Sequence, residues 1–153
     1  MGIGNAIVIG GGIGGLAAAA ALSRRGMAVT LLEQAPAITE VGAGLQISPN
    51  GIAVLRAMGL DAKLTERAAV RGQAVVLQDY KAGARVARLD LMRGQGAYPY
   101  MFVHRADLVD ILLGAAKRGN VTVELGAEVA EVTPGATPQL RLTDGSRRRA
   151  ELI

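Results

Sequence analysis

Short apolar runs closed by glycine alternate with alanine-rich and amphipathic stretches along this chain. Ala6-Ile7-Val8-Ile9 is an unbroken apolar run ending at Gly10, the pattern of a strand buried on both faces. Residues 16–25 are alanine-rich and predict a helix, with Gly26 where a helix C-terminal glycine belongs. Residues 28–32 form a second apolar run that closes on Glu33. Strand, helix and strand within about thirty residues make a βαβ unit.

Residues 36–44 read as a loop. Ser48-Pro49-Asn50 then has the form of a helix start, with Ser48 as N-cap and Pro49 at the first helical position. That helix should run to Met58 and stop at Gly59, and residues 60–69 predict a second, short one. From Gly72 the period changes. Residues 74–77 and 86–91 predict strands separated by Lys81-Ala82-Gly83, and 107–118 an amphipathic helix stopped by Gly119. Residues 121–123 and 128–132 predict further strands. Residues 140–143 and 149–153 flank Asp144-Gly145, a hairpin signal. The fold class expected is α/β: a Rossmann-like βαβ domain with inserted helices and antiparallel strands. Ile153 falls inside an apparent strand, so residues 1–153 are expected to be one domain from the N-terminal part of a longer chain.

Composition narrows the chemistry. Half of the 153 residues are hydrophobic and 20% are charged, which excludes a disordered chain. Aromatic residues make up only 3%, so the core must come from Ala, Val, Leu and Ile. There is no cysteine, hence no disulfide, thiolate metal site or cysteine nucleophile. No charged side chain occurs before Arg24, a stretch that a hydropathy scan could take for a membrane span or signal peptide. Its start lacks the Lys or Arg of a secretory signal, and glycines at 10, 11, 12, 14 and 15 disfavour a spanning helix. The expected compartment is the cytoplasm. A net charge of +4 permits an anionic ligand. The cluster Arg147-Arg148-Arg149 sits on an expected sheet edge, where charge discourages strand pairing. It lacks the aromatic interleaving of a nucleic-acid surface, and no nucleic-acid or membrane partner is expected.

Gly10, Gly12 and Gly15 form G-x-G-x-x-G, placed between a predicted strand and a predicted helix. Gly10 permits the sharp turn, Gly12 lets a pyrophosphate approach the backbone, and Gly15 lets helix and sheet pack closely. The helix start offers unpaired N–H groups and a partial positive charge to phosphate. Glu33, 18 residues beyond Gly15, stands where a carboxylate accepts ribose hydroxyls and repels a 2′-phosphate. The segment after Glu33 departs from the alternating helices and strands of a nicotinamide dehydrogenase, which favours FAD.

Three segments in order carry a family resemblance: residues 6–33, Glu40-Val41-Gly42-Ala43-Gly44-Leu45-Gln46-Ile47-Ser48-Pro49-Asn50, and His104-Arg105-Ala106-Asp107-Leu108. Together they resemble the single-component flavin-dependent aromatic hydroxylases, in the salicylate hydroxylase and 3-hydroxybenzoate 6-hydroxylase branch. The resemblance implies that NADH or NADPH reduces FAD, that O2 is captured as a flavin hydroperoxide, and that a small hydroxybenzoate-like aromatic is hydroxylated. The cofactor supplies the redox chemistry and the protein supplies binding and orientation. The implied FAD-contacting set is Gly10, Gly12, Ile13, Gly14, Gly15, Glu33, Gln34, Gln46, Arg105 and Val129. Arg105 would meet the pyrophosphate and ribityl region, Gln46 would lie beside flavin and substrate, and Val129 would offer backbone hydrogen bonds to adenine. Glutamine at 46 cannot take a proton, so any substrate deprotonation needs another group, and catalytic residues are not assigned. Family members continue past the equivalent of Ile153 into further cofactor-contacting segments, so catalysis by this segment alone is not expected. A homodimer is the assembly compatible with this reading. Two other functions stay open: an FAD-dependent reductase or dehydrogenase without hydroxylation, and a non-catalytic module that binds NAD or ADP. His104 is read as structural; Tyr98, Pro99 and Tyr100 are read as loop packing, with a substrate-facing role left open.

Overall fold

The computed structural model describes residues 4–39, 42–67, 69–93 and 98–153. Glu40 and Val41 of the second resemblance segment, and Ala68 of the predicted short helix, lie outside the described residues. In chain order the elements are β1 (Asn5–Ile9), α1 (Ile13–Ser23), β2 (Ala28–Glu33), β3 (Gly44–Ile47), α2 (Pro49–Ala57), α3 (Asp61–Glu66), β4 (Val70–Arg71) and β5 (Ala74–Gln78). There follow β6 (Arg85–Asp90), β7 (Met101–His104), α4 (Arg105–Arg118), β8 (Val121–Leu125), β9 (Val129–Thr133), β10 (Gln139–Leu142) and β11 (Arg147–Arg149). Two compact units result, one of Met1–Val41 with Leu108–Ile153, the other of Gly42–Asp107.

The first unit is built on the expected βαβ motif. Strands β1, β2 and β8 form a parallel sheet in the order β1-β2-β8. The apolar runs of β1 and β2 suit strands covered on both sides, and Ala6, Ile7, Val29, Leu31 and Leu32 are buried. Helix α1 contributes buried Leu16, Ala19 and Ala20. It begins at Ile13, three residues before the expected start at Leu16: the glycines carry a helix penalty of about 1 kcal/mol each, outweighed here by close packing. Strands β9, β10 and β11 form an antiparallel sheet, and its Leu140, Leu142 and Ala150 pack with Ile7 and Leu32 in one core cluster.

The hairpin after β10 differs from expectation in its second strand. Gly145 takes φ +88 in the turn, as Asp-Gly predicts. The paired strand, however, is Arg147–Arg149, opposite Gln139, Leu140 and Arg141. Residues beyond it leave that sheet, and Leu152 makes a parallel bridge to Ala6, with the Ile7 N–H donating to the Leu152 carbonyl at 2.9 Å. Capture by the free edge of β1 thus overrides the alternation that predicted one strand to Ile153.

Ser23 is the buried polar residue of this unit among the described residues, and its Oγ accepts the Asn120 N–H at 2.6 Å, tying the end of α1 to the start of β8. Ser23→Ala would leave that N–H without its acceptor, and a loss of about 1–2 kcal/mol in chemical denaturation is expected. An unchanged midpoint would show that the bond contributes nothing net.

In the second unit β3, β7 and β4 form an antiparallel sheet with β7 central, and β5 and β6 pair as a separate hairpin. Strands β3 and β7 occupy segments for which the pattern predicts no strand. At four residues each, they are too short to show a period. Helix α2 packs on β3 and α3, burying Ile52 and Leu55. Ser48 does hold its N-cap position, but its hydroxyl bonds the Asn50 Oδ1 rather than a backbone N–H. Gly59 ends that segment with φ +68, as a C-terminal glycine should. Helix α4 starts at Arg105, two residues earlier than expected, where the Arg105 N–H donates to the Ala43 carbonyl at 2.9 Å. No described helix is long and apolar enough to cross a membrane.

Candidate nucleotide-binding site

The end of β1 and the start of α1 are joined by three glycines whose geometry sets what the turn can hold. Gly10 has φ +96, which a side chain rarely tolerates, and its N–H donates to the Leu32 carbonyl at 2.7 Å. Gly12 is the N-cap of α1, extended at φ −72 and ψ 179, and a Cβ there would meet nothing within 4 Å. At Gly15 the opposite holds: a Cβ would stand 1.8 Å from the Gly10 carbonyl oxygen. The helix therefore abuts the strand at Gly15 and leaves open space at Gly12. No side chain caps α1 and no acid lies in its first turn. Its leading N–H groups, those of Ile13 and Gly14 among them, are presented to an incoming anion.

Glu33, the last residue of β2, grips this turn. Its Oε2 accepts the Gly11 N–H at 2.5 Å and its Oε1 accepts the Ala35 N–H at 2.8 Å. These donors, Ala35 foremost and then Gly11, hold the carboxyl below its ordinary value against the opposing effect of burial. The two oxygens offer about four acceptor sites between them, more than the Ala35, Gly11 and Gln34 N–H groups use, so a site remains for a ligand hydroxyl. The Glu33 carbonyl accepts the Ala127 N–H at 2.9 Å, and the Ala35 carbonyl accepts the Gly126 N–H at 3.0 Å. Those two bonds bring the β8–β9 turn beside the end of β2.

The result is an open cleft of about 240 Å³ lined by Ile9, Gly10, Leu32, Glu33, Gln34, Ala127 and Val129. Its size suits part of a dinucleotide rather than the whole. Apolar walls, a carboxylate and backbone groups suit a purine with its ribose. Of the residues singled out from sequence, the fold brings Gly10, Glu33, Gln34 and Val129 to one cleft, next to Gly12, Ile13, Gly14 and Gly15 at the start of α1. Gln46 lies in β3 and Arg105 opens α4, both in the second unit. Sequence reasoning missed Gly11 as the partner of Glu33, and missed Ile9, Leu32 and Ala127 as cleft walls. The side-chain-free Gly11 was visible in the motif, but Ala127 depends on β2–β8 pairing, which leaves no local signal. The chemistry of this donor set, unpaired helix N–H groups beside a carboxylate and an apolar cleft, is of the kind that FAD would need.

This geometry defines a dinucleotide-binding βαβ protein. The "FAD binding domain" family matches residues 5–151, and the chain belongs to it. It is 43% identical over 119 residues to 3-hydroxybenzoate 6-hydroxylase of Polaromonas naphthalenivorans, covering 75% of this chain and 30% of that protein. It is 39% identical over 151 residues to 3-amino-4-hydroxybenzoate 2-monooxygenase of Streptomyces cremeus, covering 95% of this chain and 37% of the relative. Among solved structures, the tetrameric form of 2-methyl-3-hydroxypyridine-5-carboxylic acid oxygenase superposes with TM-score 0.85 at 25% identity, over 100% of this chain and 39% of that one. The chain thus spans about a third of the length of the curated relatives it matches.

Proposed function

We propose that this chain is the FAD-binding, N-terminal portion of an NAD(P)H-dependent flavoprotein monooxygenase that hydroxylates a small hydroxybenzoate-like aromatic with O2. The observation that carries the proposal is the glycine turn itself: open at Gly12, closed at Gly15, and held at Gly11 by the Glu33 carboxylate beside the Val129 cleft. The names of the hydroxybenzoate-acting relatives support the substrate class. Bound FAD supplies the redox and oxygen chemistry. The protein's part is to seat the pyrophosphate at Gly12, Ile13, Gly14 and Gly15, the ribose at Glu33 and the base beside Gln34 and Val129, with Gln46 and Arg105 serving the flavin half. NADH or NADPH is the transient electron donor, the cytoplasm the compartment and a homodimer the assembly in this reading.

The test is a titration of the purified chain with FAD and, separately, with NAD, followed by flavin absorbance and fluorescence and by thermal melting. Saturable FAD binding with a raised melting temperature is expected, because a ligand of the native state stabilises it by mass action. Stabilisation by NAD with no response to FAD would replace this reading with that of a nicotinamide-nucleotide module. For the chemistry, the longer flavoprotein should consume O2 with NADH or NADPH faster when a hydroxybenzoate is added, and release a hydroxylated product. Oxidation of the donor without that product would mark a reductase.

A further inference from the structure

Within the second unit Ile52 of α2, Leu64 of α3 and Met101 of β7 are buried, and the three meet on one cavity of about 170 Å³. Met101 pairs with Ile47, and Gln46 with Phe102 one position along. Side chains alternate along a strand, so the cavity lies on the face of the sheet away from Gln46 and Phe102. Protein interiors leave few voids larger than a water molecule. An apolar void of about 150 Å³ is enough to hold a benzene ring. The space between α2, α3 and β7 therefore has the size of one six-membered ring.

Its remaining walls are of a different kind. Arg56, Asp61 and Tyr98 line it as well. The Arg56 guanidinium carbon stands 5.7 Å from the centre of the Tyr98 ring, and its Nε lies 3.9 Å from the Asp61 Oδ2. That second distance is longer than a hydrogen bond, so the N–H donors of Arg56 have no hydrogen-bonded acceptor among the described residues. The two side chains are 60% and 38% exposed, and an ion pair so open to water is worth little. The ring face holds the cation at the cavity, and the loose pair leaves its planar fork open to a carboxylate.

We propose that this cavity is a second small-molecule site that takes a small aromatic monocarboxylate, its ring against Ile52, Leu64 and Met101 and its carboxylate on Arg56. Each part of the class has its reason. A ring without the acid leaves the guanidinium fork unused, and an acid without the ring leaves the apolar floor to water. A second anionic group would meet the Asp61 carboxylate, which restricts the ligand to one. The walls of this site belong to the second unit and those of the nucleotide cleft to the first, so the inference goes beyond the flavoprotein reading and does not rest on it.

The experiment titrates the isotope-labelled chain with benzoate, with benzyl alcohol and with acetate. NMR follows the methyl signals of Ile52, Leu64 and Met101 and the Nε–H of Arg56. Benzoate should move all four saturably, and benzyl alcohol and acetate should bind at least about tenfold more weakly. Arg56→Gln should weaken benzoate about tenfold, the low end for a hydrogen bond to a charged group because Arg56 is largely exposed. Asp61→Asn should tighten benzoate about two- to threefold, since it removes a competing and repelling carboxylate. A site that merely packs the helices would show neither response. Both side chains are partly or fully exposed, so the two variants should keep the wild-type backbone spectrum. The inference falls if benzoate moves none of the four signals, if it moves only those of Gln46 and Phe102 on the other face, or if Arg56→Gln binds it like wild type. A weaker hold by Asp61→Asn would also overturn it. Benzoate binding in a chain that fails to bind FAD would support this site while the flavoprotein reading fell.

Discussion

Gly15→Ala is expected to destabilise the chain by about 4 kcal/mol or more, a size reserved for a few mechanisms. The added Cβ would stand 1.8 Å from the Gly10 carbonyl oxygen and 3.0 Å from its carbonyl carbon, both backbone atoms. No rotamer relieves a contact with backbone. Either α1 moves away from β1, uncovering Leu16, Ala19 and Ala20, or the turn at Gly10 distorts from φ +96. Both outcomes also spoil the anion seat, so FAD binding should disappear with the stability. Gly14→Ala is the matched control. A Cβ at Gly14 meets nothing within 4 Å, and alanine in place of a helical glycine should raise stability by up to about 1 kcal/mol. Chemical denaturation of the two variants beside wild type separates the cases, and equal effects of the two substitutions would refute the packing argument.

Glu33→Gln should weaken FAD binding about tenfold or more and cost about 2 kcal/mol of stability at neutral pH, the worth of a hydrogen bond to a charged group. Glutamine keeps the shape but has one acceptor oxygen where glutamate has two. Either the Gly11 N–H or the Ala35 N–H would then face an NH2 donor, and the paired bonds of 2.5 and 2.8 Å could not both persist. The pH dependence has a definite sign. The native carboxyl lies below its ordinary value of 4.5, chiefly through the Ala35 and then the Gly11 N–H. Its contribution is therefore fully present above that value and is lost as pH falls through the lower native value. The gap between wild type and Glu33→Gln should be constant from neutral pH down to about 5 and shrink in more acid solution. A gap that stays constant at all pH values would assign the effect to shape rather than charge.

Where the sequence pattern succeeded, the information was local. Apolar runs ending at Gly10 and Glu33 marked β1 and β2, and Gly26, Gly59 and Gly145 fell at positive φ where chain reversals were expected. Where it failed, the deciding contact was distant. Strands β3 and β7 owe their existence to pairing between segments more than fifty residues apart, such as Gln46 with Phe102. Tyr100, read as loop packing, reaches Gln46 by the same long-range pairing. The last strand was misplaced because alternation continues past Arg149, while the edge of β1 captures Leu152.

The residues alone determined the nucleotide-binding turn, because glycine's missing side chain and an acid at a strand end are properties that survive without knowledge of the fold. Tertiary structure decided which glycine is closed and which is open, that Glu33 holds Gly11, and that Ala127 and Val129 wall the cleft. Those outcomes depend on how β1, β2 and β8 line up. Strand register is a cooperative result of many backbone bonds and of the core beneath them, and no short stretch of sequence encodes it.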